Sequence, residues 1–328
     1  MSRSPVRPVR LVVSLVLGAV VALAVVWPQA FGLQSTIVFA QLVAFRALTS
    51  IVLAVAAIAL AGFALWRRTW GIAAGLSIVL AVAAASGGGI LLARGSEDAL
   101  PTGELTVLAW NTQGGAASPE SVARLVRETG ADIVSLPEMD ADAVADIARL
   151  VGEEGRDMAF DTVYGETGDS WIPTSVLIAE SLGEYRVDAA AGSTPGLPSA
   201  VWRPVDGTGP TVVAAHPFPP LPSGMDQWRD GLRWVAEQCD GPDVIVAGDL
   251  NATLDHLWGA TGSCRDAADS VGAGAVGTWP VWVPAWLASP IDHVLVGSAW
   301  TVRGVRVVTS YDDAGTDHRP IVAVLDER

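Results

Sequence analysis

The 328-residue sequence contains no lysine, and no aspartate or glutamate occurs before Glu97. The only charged residues ahead of that point are Arg3, Arg7, Arg10, Arg46, Arg67, Arg68 and Arg94. From Glu97 onward the chain carries all 35 acids against 13 arginines, a net charge of about −22. A domain this acidic repels polyanions at long range, which argues against tight, non-specific binding to nucleic acid. It leaves room for a metal ion bridging a phosphate at one local site. Cysteine is scarce as well, with only Cys239 and Cys264, both in the acidic part. Two cysteines allow one disulfide in an oxidising compartment, closing a loop around residues 243–253, or two buried free thiols. There is no internal repeat and no low-complexity tract.

What the acid-free part does contain is apolar sequence. Residues 11–26 are apolar apart from Ser14, residues 37–66 are broken only by Gln41, Arg46, Thr49 and Ser50, and residues 71–93 form a third run. Each supplies close to the roughly 20 apolar residues a membrane-spanning helix needs, so three transmembrane helices are expected at about 11–27, 43–66 and 71–93. A cleaved signal peptide would also begin on a basic stretch, but no small-x-small cleavage site follows the first run and two further runs do. Arg46 either snorkels to an interface or marks the true start of the second span. Arginines 3, 7 and 10 precede the first run, and Arg67 and Arg68 lie between the second and third. Placing both groups inside puts everything beyond the third span outside the cytoplasm. The division expected is a membrane region over 1–95, a polar linker over 96–103 and a catalytic domain over 104–328.

Beyond the linker, strands and helices interleave. Alternating or continuous apolar runs predict strands at 104–110, 132–136, 175–179, 200–203, 211–215, 243–247, 291–296, 302–308 and 320–325. A helix is predicted from the Ser118-Pro119-Glu120 start to Gly130, a second over 141–151 and an amphipathic third over 227–238. Many strands mixed with helices indicate an α/β domain with two packed sheets rather than one all-parallel sheet.

The polar residues of interest share one placement. Asn111, Glu138, His216, Asp249 and Asn251 each follow an apolar strand, which is where α/β sheets site their chemistry. Residues 249 and 251 are two apart, so on a strand they would share a face. Taken alone, Asp-x-Asn after a strand reads equally as a plain turn, and a single Glu138 or Asn111 reads more often as a turn or cap residue. Asp292 on an otherwise apolar strand is harder to dismiss, because a lone buried carboxylate is costly without a partner, and His318 is a natural one. His293 should point to the opposite face of that strand and be structural. His256 is expected on a short helix without a role, and Asp142 and Asp146 read as helix-surface charge.

Taken together, the segments Ala109-Trp-Asn111, Leu136-Pro-Glu138, Ala215-His-Pro217, Gly248-Asp-Leu-Asn251, Ile291-Asp-His293 and Thr316-Asp-His-Arg-Pro320 resemble, in order and spacing, the motifs of the endonuclease/exonuclease/phosphatase superfamily, which includes DNase-like nucleases and phosphodiesterases. The resemblance runs from about Glu104 to Leu325. It implies a four-layer α/β sandwich of the DNase-I-like kind, here preceded by the three membrane helices, and divalent-metal-dependent phosphoester hydrolysis. Such hydrolysis needs a cation to neutralise charge, a base to activate water and a donor for the leaving oxygen. By this resemblance Asn111, Glu138 and Asp317 supply oxygen ligands to Mg2+ or Mn2+. His318, oriented by Asp292, is the base or a phosphate-stabilising imidazolium, with Asp249 the rival for the base. Asn251 holds a phosphate oxygen or fixes Asp249, and His216 donates to the phosphate or leaving group. Thr316 stands where serine is commoner in the family. Tyr164, Trp171 and Arg203 are loose matches to a central phosphate-contacting residue, and none is assigned that role.

The expected substrate is a phosphodiester on a lipid or another small phosphoester, which suits an acidic surface better than duplex DNA does. The alternatives are an extracytoplasmic nuclease and a non-catalytic, membrane-tethered binding module, the latter disfavoured by the intact polar set. No protein partner is inferable. The segment Gly277-Thr-Trp-Pro-Val-Trp-Val-Pro-Ala-Trp286 remains open. It is either a packed loop covering the cleft edge or an aromatic rim for an apolar or sugar moiety, or for the bilayer interface.

Overall fold

The computed structural model describes residues 6–68, 71–165 and 172–328, with side chains from Leu11 on, so Arg3 and Trp171 lie outside the described residues. The chain divides into two compact units, Met1–Ala93 and Arg94–Arg328.

The first unit is helical. Helix α1 spans Val6–Val26, a short α2 spans Phe39–Ala44, α3 spans Arg46–Trp66 and α4 spans Ile72–Arg94. Among the described residues α3 and α4 are long and apolar enough to cross a membrane, with mean hydropathy of 2.5 and 2.2, whereas Leu11–Val26 is a shorter apolar stretch. The second apolar segment starts later than its composition suggests. Phe45 leaves helical geometry, with φ −104° and ψ 50°, and separates α2 from α3. Arg46 begins the new helix buried, with its guanidinium donating to the Val26 carbonyl at 2.9 Å. The charge is therefore met by a free helix-terminal carbonyl of α1, and snorkelling is not required.

The second unit opens on residues without regular structure. These are paired rather than loose: Glu97 N donates to Gly272 O at 2.9 Å and Ala275 N to Gly95 O at 3.0 Å. The elements that follow are β1 (Leu105–Ala109), α5 (Pro119–Thr129), β2 (Ile133–Pro137), α6 (Ala141–Gly152), β3 (Met158–Val163) and β4 (Thr174–Ala179). They continue as β5 (Tyr185–Val187), β6 (Ala200–Pro204), β7 (Thr211–Ala215), α7 (Met225–Gln238), β8 (Val244–Asp249) and β9 (Arg265–Asp266). The last are α8 (Ala267–Ser270), β10 (Asp292–Val296), β11 (Trp300–Val307) and β12 (Ile321–Glu327). Helix α5 starts where its cap lies, with Ser118 Oγ accepting from Ser121 N and Pro119 in the first turn, and it stops at Gly130 with φ 65°. Asp140 caps α6 in the same way.

Two six-stranded sheets result, ordered β11-β12-β1-β2-β4-β3 and β5-β6-β7-β8-β10-β9. Among the described residues only β1–β2 and β7–β8 are parallel pairs. The sheets face each other across one apolar layer in which Val107, Ala109, Ile133 and Ile321 of the first meet Trp202, Ala214, Ile245, Ala247 and Val294 of the second. The outer face of the first sheet, through Leu108, Val134 and Leu177, packs on Val122, Leu125 and Val126 of α5 and Val144 and Ile147 of α6. Helix α7 joins the parallel pair β7–β8, and such a crossover must lie over one face of its sheet. The inner face is already filled, so α7 covers the outer one, burying Trp228, Leu232 and Val235. The mixed α/β fold with two packed sheets is DNase-I-like.

Candidate active site

Parallel and antiparallel pairing bring six chain segments to one end of the sandwich. Asn111 and Glu138 follow β1 and β2, His216 follows β7, and Asp249 ends β8. Asp292 opens β10, which runs antiparallel to β8 with Asp292 in register with Asp249. Asp317 and His318 precede β12, whose Ile321 is in register with Ala109 of β1. The C-terminal ends of four strands and the N-terminal ends of two antiparallel ones thus share a rim.

The backbone leaves its ordinary range here. Gln113, Glu138 and Asn251 all have positive φ, at 51°, 66° and 47°. Left-handed conformations at non-glycine residues carry a cost and tend to concentrate where a site needs them. Gly248 lies inside β8 rather than after it, with φ 149°, and a Cβ there would stand 2.0 Å from the Ala215 carbonyl oxygen of the neighbouring strand. The glycine therefore serves close strand packing. The exit turn is made instead by Asp249, whose Oδ1 accepts from Asn251 N at 2.8 Å. That side-chain turn overrides the shared-face geometry expected of residues two apart.

Asp249 is fully buried at the centre of the polar set. Its Oδ2 accepts from Asn111 Nδ2 at 3.0 Å and lies 3.8 Å from His318 Nε2 and 3.9 Å from His216 Nε2. His318 Nδ1 is bonded to Asp292 Oδ2 at 2.9 Å. Burial works against charge on His318, but Asp292, then Asp249 and Asp317, outweigh it and raise its pKa to about 9, so the ring is an imidazolium at neutral pH. Burial, reinforced by Asp292, pushes Asp249 up to about 7. Burial, followed by repulsion from His318, drives His216 down to about 3, so that imidazole is neutral.

Glu138 Oε1 accepts from Asn111 Nδ2 at 3.1 Å and lies 3.8 Å from His216 Nε2. Asn111 thus turns its amide nitrogen to two carboxylates, while its Oδ1 accepts from Gln113 N at 2.9 Å. A ligand role for Asn111 needs the amide rotated about its last bond. Asn251 Nδ2 donates to the Pro217 carbonyl at 3.1 Å and more weakly to Asp249 at 3.4 Å. Asp317 Oδ1 is 3.8 Å from His318 Nε2.

Four carboxylates, Glu138, Asp249, Asp292 and Asp317, therefore converge with one imidazolium among them. The neighbouring Arg319 adds no charge to the cleft, because its guanidinium is committed to Asp312 and to loop carbonyls. Asp292 Oδ1 and His216 Nδ1 are buried without a hydrogen-bond partner. An oxygen-rich set with surplus negative charge fits a hard divalent cation. Asp249, Asp292 and His318 also offer ligand atoms within 4.8 Å of one another.

The other two histidines make contacts of their own. His293 is buried on the opposite face of β10, between Asp266 Oδ2 at 2.6 Å and the Ala252 carbonyl at 2.8 Å. Burial opposes its charge, and Asp266 and the hydrogen bonds overcome that to raise its pKa. His256 sits in a turn rather than a helix, where its Nδ1 accepts from Thr253 N at 2.8 Å. Sequence reasoning passed over Gln113, whose side chain accepts from Asp317 N at 2.9 Å, and Ser199, whose hydroxyl accepts from His216 N at 2.7 Å. Both are common loop residues without a motif of their own. Of the loose matches, Tyr164 is exposed and Arg203 pairs with Asp188 at 2.7 Å, so neither is drawn to the site.

The Endonuclease/Exonuclease/phosphatase family model matches residues 108–318. No functionally curated protein matches the chain by sequence. Among solved structures, an endonuclease/exonuclease/phosphatase from Beutenbergia cavernae DSM 12333 superimposes with a TM-score of 0.53 at 20% identity, covering 68% of this chain and 71% of that one. D. rerio TDP2 complexed with single-strand DNA product gives 0.51 at 17% identity, covering 67% and 98%. A functionally unknown conserved protein from Enterococcus faecalis V583 gives 0.51 at 15%, covering 68% and 100%.

Proposed function

The chain belongs to the endonuclease/exonuclease/phosphatase family, whose members hydrolyse phosphoester bonds, and we propose that it is a membrane-anchored phosphodiesterase acting on a lipid or another small phosphodiester. The observation that carries this reading is the buried Asp292–His318–Asp249 array. One carboxylate holds the imidazole protonated at 2.9 Å, and the ring faces the other carboxylate at 3.8 Å.

The roles follow from protonation. Asp249, raised to about 7, is matched to neutral pH and takes the proton from the attacking water, while the Asn251 backbone N–H fixes its orientation. His318, raised above its ordinary range despite burial, chiefly by Asp292, is assigned the charged role and Asp249 that of the base. His318 presents Nε2–H to the phosphate, where charge builds in the transition state. Neutral His216 supplies a further N–H to the phosphate or leaving oxygen. Glu138 and Asp317, joined by Asn111 once its amide turns, hold Mg2+ or Mn2+, which when bound neutralises phosphate charge and acidifies water. Asp249, Asp292 and His318 offer a second placement for the cation, one that requires His318 to give up its proton on binding.

Helices α3 and α4, with the apolar α1, make three spans, and the arginine pattern puts the acidic unit outside the cytoplasm. The Cys239–Cys264 disulfide suits that compartment. The acidic charge favours a small phosphodiester over a polyanion. A nuclease is the second reading, favoured by the likeness to the TDP2 structure that holds single-strand DNA product. The test is the full-length chain in detergent with Mg2+ or Mn2+, assayed on phospholipids, a chromogenic phosphodiester, plasmid and single-stranded DNA. Lipid or chromogenic turnover without DNA cleavage is expected. Preferential DNA cleavage would assign the second reading, and no hydrolysis of any substrate would refute both. A C-terminal reporter that is active only outside the cytoplasm should be active, and a silent one inverts the orientation.

A further inference from the structure

Trp279 donates from Nε1 to Asp317 Oδ2 at 2.8 Å, across 38 residues of sequence. The loop that carries it is tied to the strand end bearing Asp317 and His318. Val281 N donates to the Asp317 carbonyl at 3.0 Å, and Arg319 N donates to the Thr278 carbonyl at 2.8 Å. Thr278 Oγ1 in turn accepts from the Asp292 backbone N–H at 3.1 Å. Arg319, only 1% exposed, closes the arrangement from behind. Its Nη2 donates to the Val281 and Val283 carbonyls, each at 2.8 Å, and its fork grips Asp312 at 2.8 and 2.7 Å.

An indole suits this position for a chemical reason. Its N–H is a single neutral donor with no acceptor, so it fixes one carboxylate oxygen without cancelling the charge. A lysine or arginine in its place would form an ion pair with Asp317 and compete with a cation. With Oδ2 held by Trp279, Oδ1 is the oxygen beside His318 Nε2, at 3.8 Å.

We propose that Trp279 is a positioning residue of the cation site: its Nε1–H turns Asp317 so that Oδ1 faces the cleft, and the Arg319 guanidinium holds the loop that places the indole. This rests on the reading above that Asp317 is a cation ligand.

The test is Mn2+ binding to the full-length chain in detergent, followed by the electron paramagnetic resonance signal of free Mn2+, with activity measured alongside. Trp279→Phe keeps the ring and removes the donor. Outer partners of metal ligands are typically worth about 10–100-fold in affinity, so the Mn2+ Kd should rise about tenfold while KM at saturating Mn2+ changes less than about twofold. In an Asp317→Asn background the same change should have little further effect on Kd. Arg319→Lys keeps the charge but loses the fork, and should also weaken Mn2+ binding. It stands in for the Phe variant should that fail to fold, and an unchanged Kd in a folded Arg319→Lys protein would then overturn the proposal. If wild type binds no Mn2+, or Asp317→Asn binds it as tightly as wild type, both the ligand assignment and this inference fall. If Asp317→Asn weakens binding and folded Trp279→Phe does not, this inference alone is wrong.

Discussion

Asp292→Asn isolates the electrostatic core of the site. Asp292 is 1% exposed and its Oδ2 meets His318 Nδ1 at 2.9 Å. The asparagine keeps the shape and an acceptor but removes the charge. The rise of His318 from 6.5 to about 9 corresponds to ~3 kcal/mol in favour of the imidazolium. Burial acts in the opposite sense, and without Asp292 only Asp249, Asp317 and the remaining hydrogen bond oppose it, so His318 should fall to or below 6.5. Activity that needs the protonated ring then loses its alkaline limb near pH 9 and acquires one at or below about 6.5, with a loss of about 30-fold or more at pH 8. Stability follows the same sign. A histidine raised in the folded state stabilises fully below its unfolded pKa, and that contribution is lost as pH rises through the folded value. In chelator, the wild type should lose between about pH 6.5 and 9 a stabilisation the variant never had. The measurements are kcat/KM against pH and thermal melts in EDTA across that window. An alkaline limb still near 9 in Asp292→Asn would refute the reasoning.

Other perturbations probe the frame. Gly248→Ala places a methyl 2.0 Å from the Ala215 carbonyl and should cost about 3 kcal/mol or more, read as a large fall in melting temperature or insoluble protein. A melt close to wild type would contradict the strand packing described. Cys239 and Cys264 close a loop with a sequence separation of 25 that contains Asp249 and Asn251. Their double replacement by serine should destabilise by about 3 kcal/mol on loop entropy, and reductant should have no further effect on that variant in denaturant titrations. Trp282 and Trp286 are 69% and 62% exposed. If they form an interfacial rim, the Trp282→Ala/Trp286→Ala variant should turn over a vesicle-borne phosphodiester more slowly with little change on a soluble one, and equal effects on both would remove the membrane-contact role.

Much of this architecture was legible because strand ends are written in short motifs. The residues Glu138, His216, Asp249, Asp292 and His318 each sit at an apolar run that periodicity identifies, and the structure gathers them within hydrogen-bond or ion-pair reach. Strand β3 was not resolved from its surroundings because it is an edge strand whose Ala159, Phe160 and Asp161 are exposed, which erases the alternation. The break at Phe45 has no glycine or proline to announce it, and only the charge of Arg46 offered a later start for the second segment. For Asn251 the turn reading holds over the shared-face reading, because an Asx turn formed by Asp249 itself competes with continuation of the strand. The contacts that Trp279 and Arg319 make around Asp317 and its loop were not legible for a different reason. Their roles lie in contacts 38, 36 and 39 residues apart in sequence, and such contacts depend on where the loop folds back rather than on any local pattern.

The central claim is that the cleft around Asp249 and His318 is a phosphodiester-hydrolysing centre. Its most direct test is the Mg2+- or Mn2+-dependent hydrolysis of bis(p-nitrophenyl) phosphate by the full-length chain beside folded Asp249→Ala and His318→Ala variants. Turnover by wild type that falls by on the order of 10²-fold or more in each variant is expected. Turnover that survives both substitutions would place the chemistry elsewhere and contradict the account.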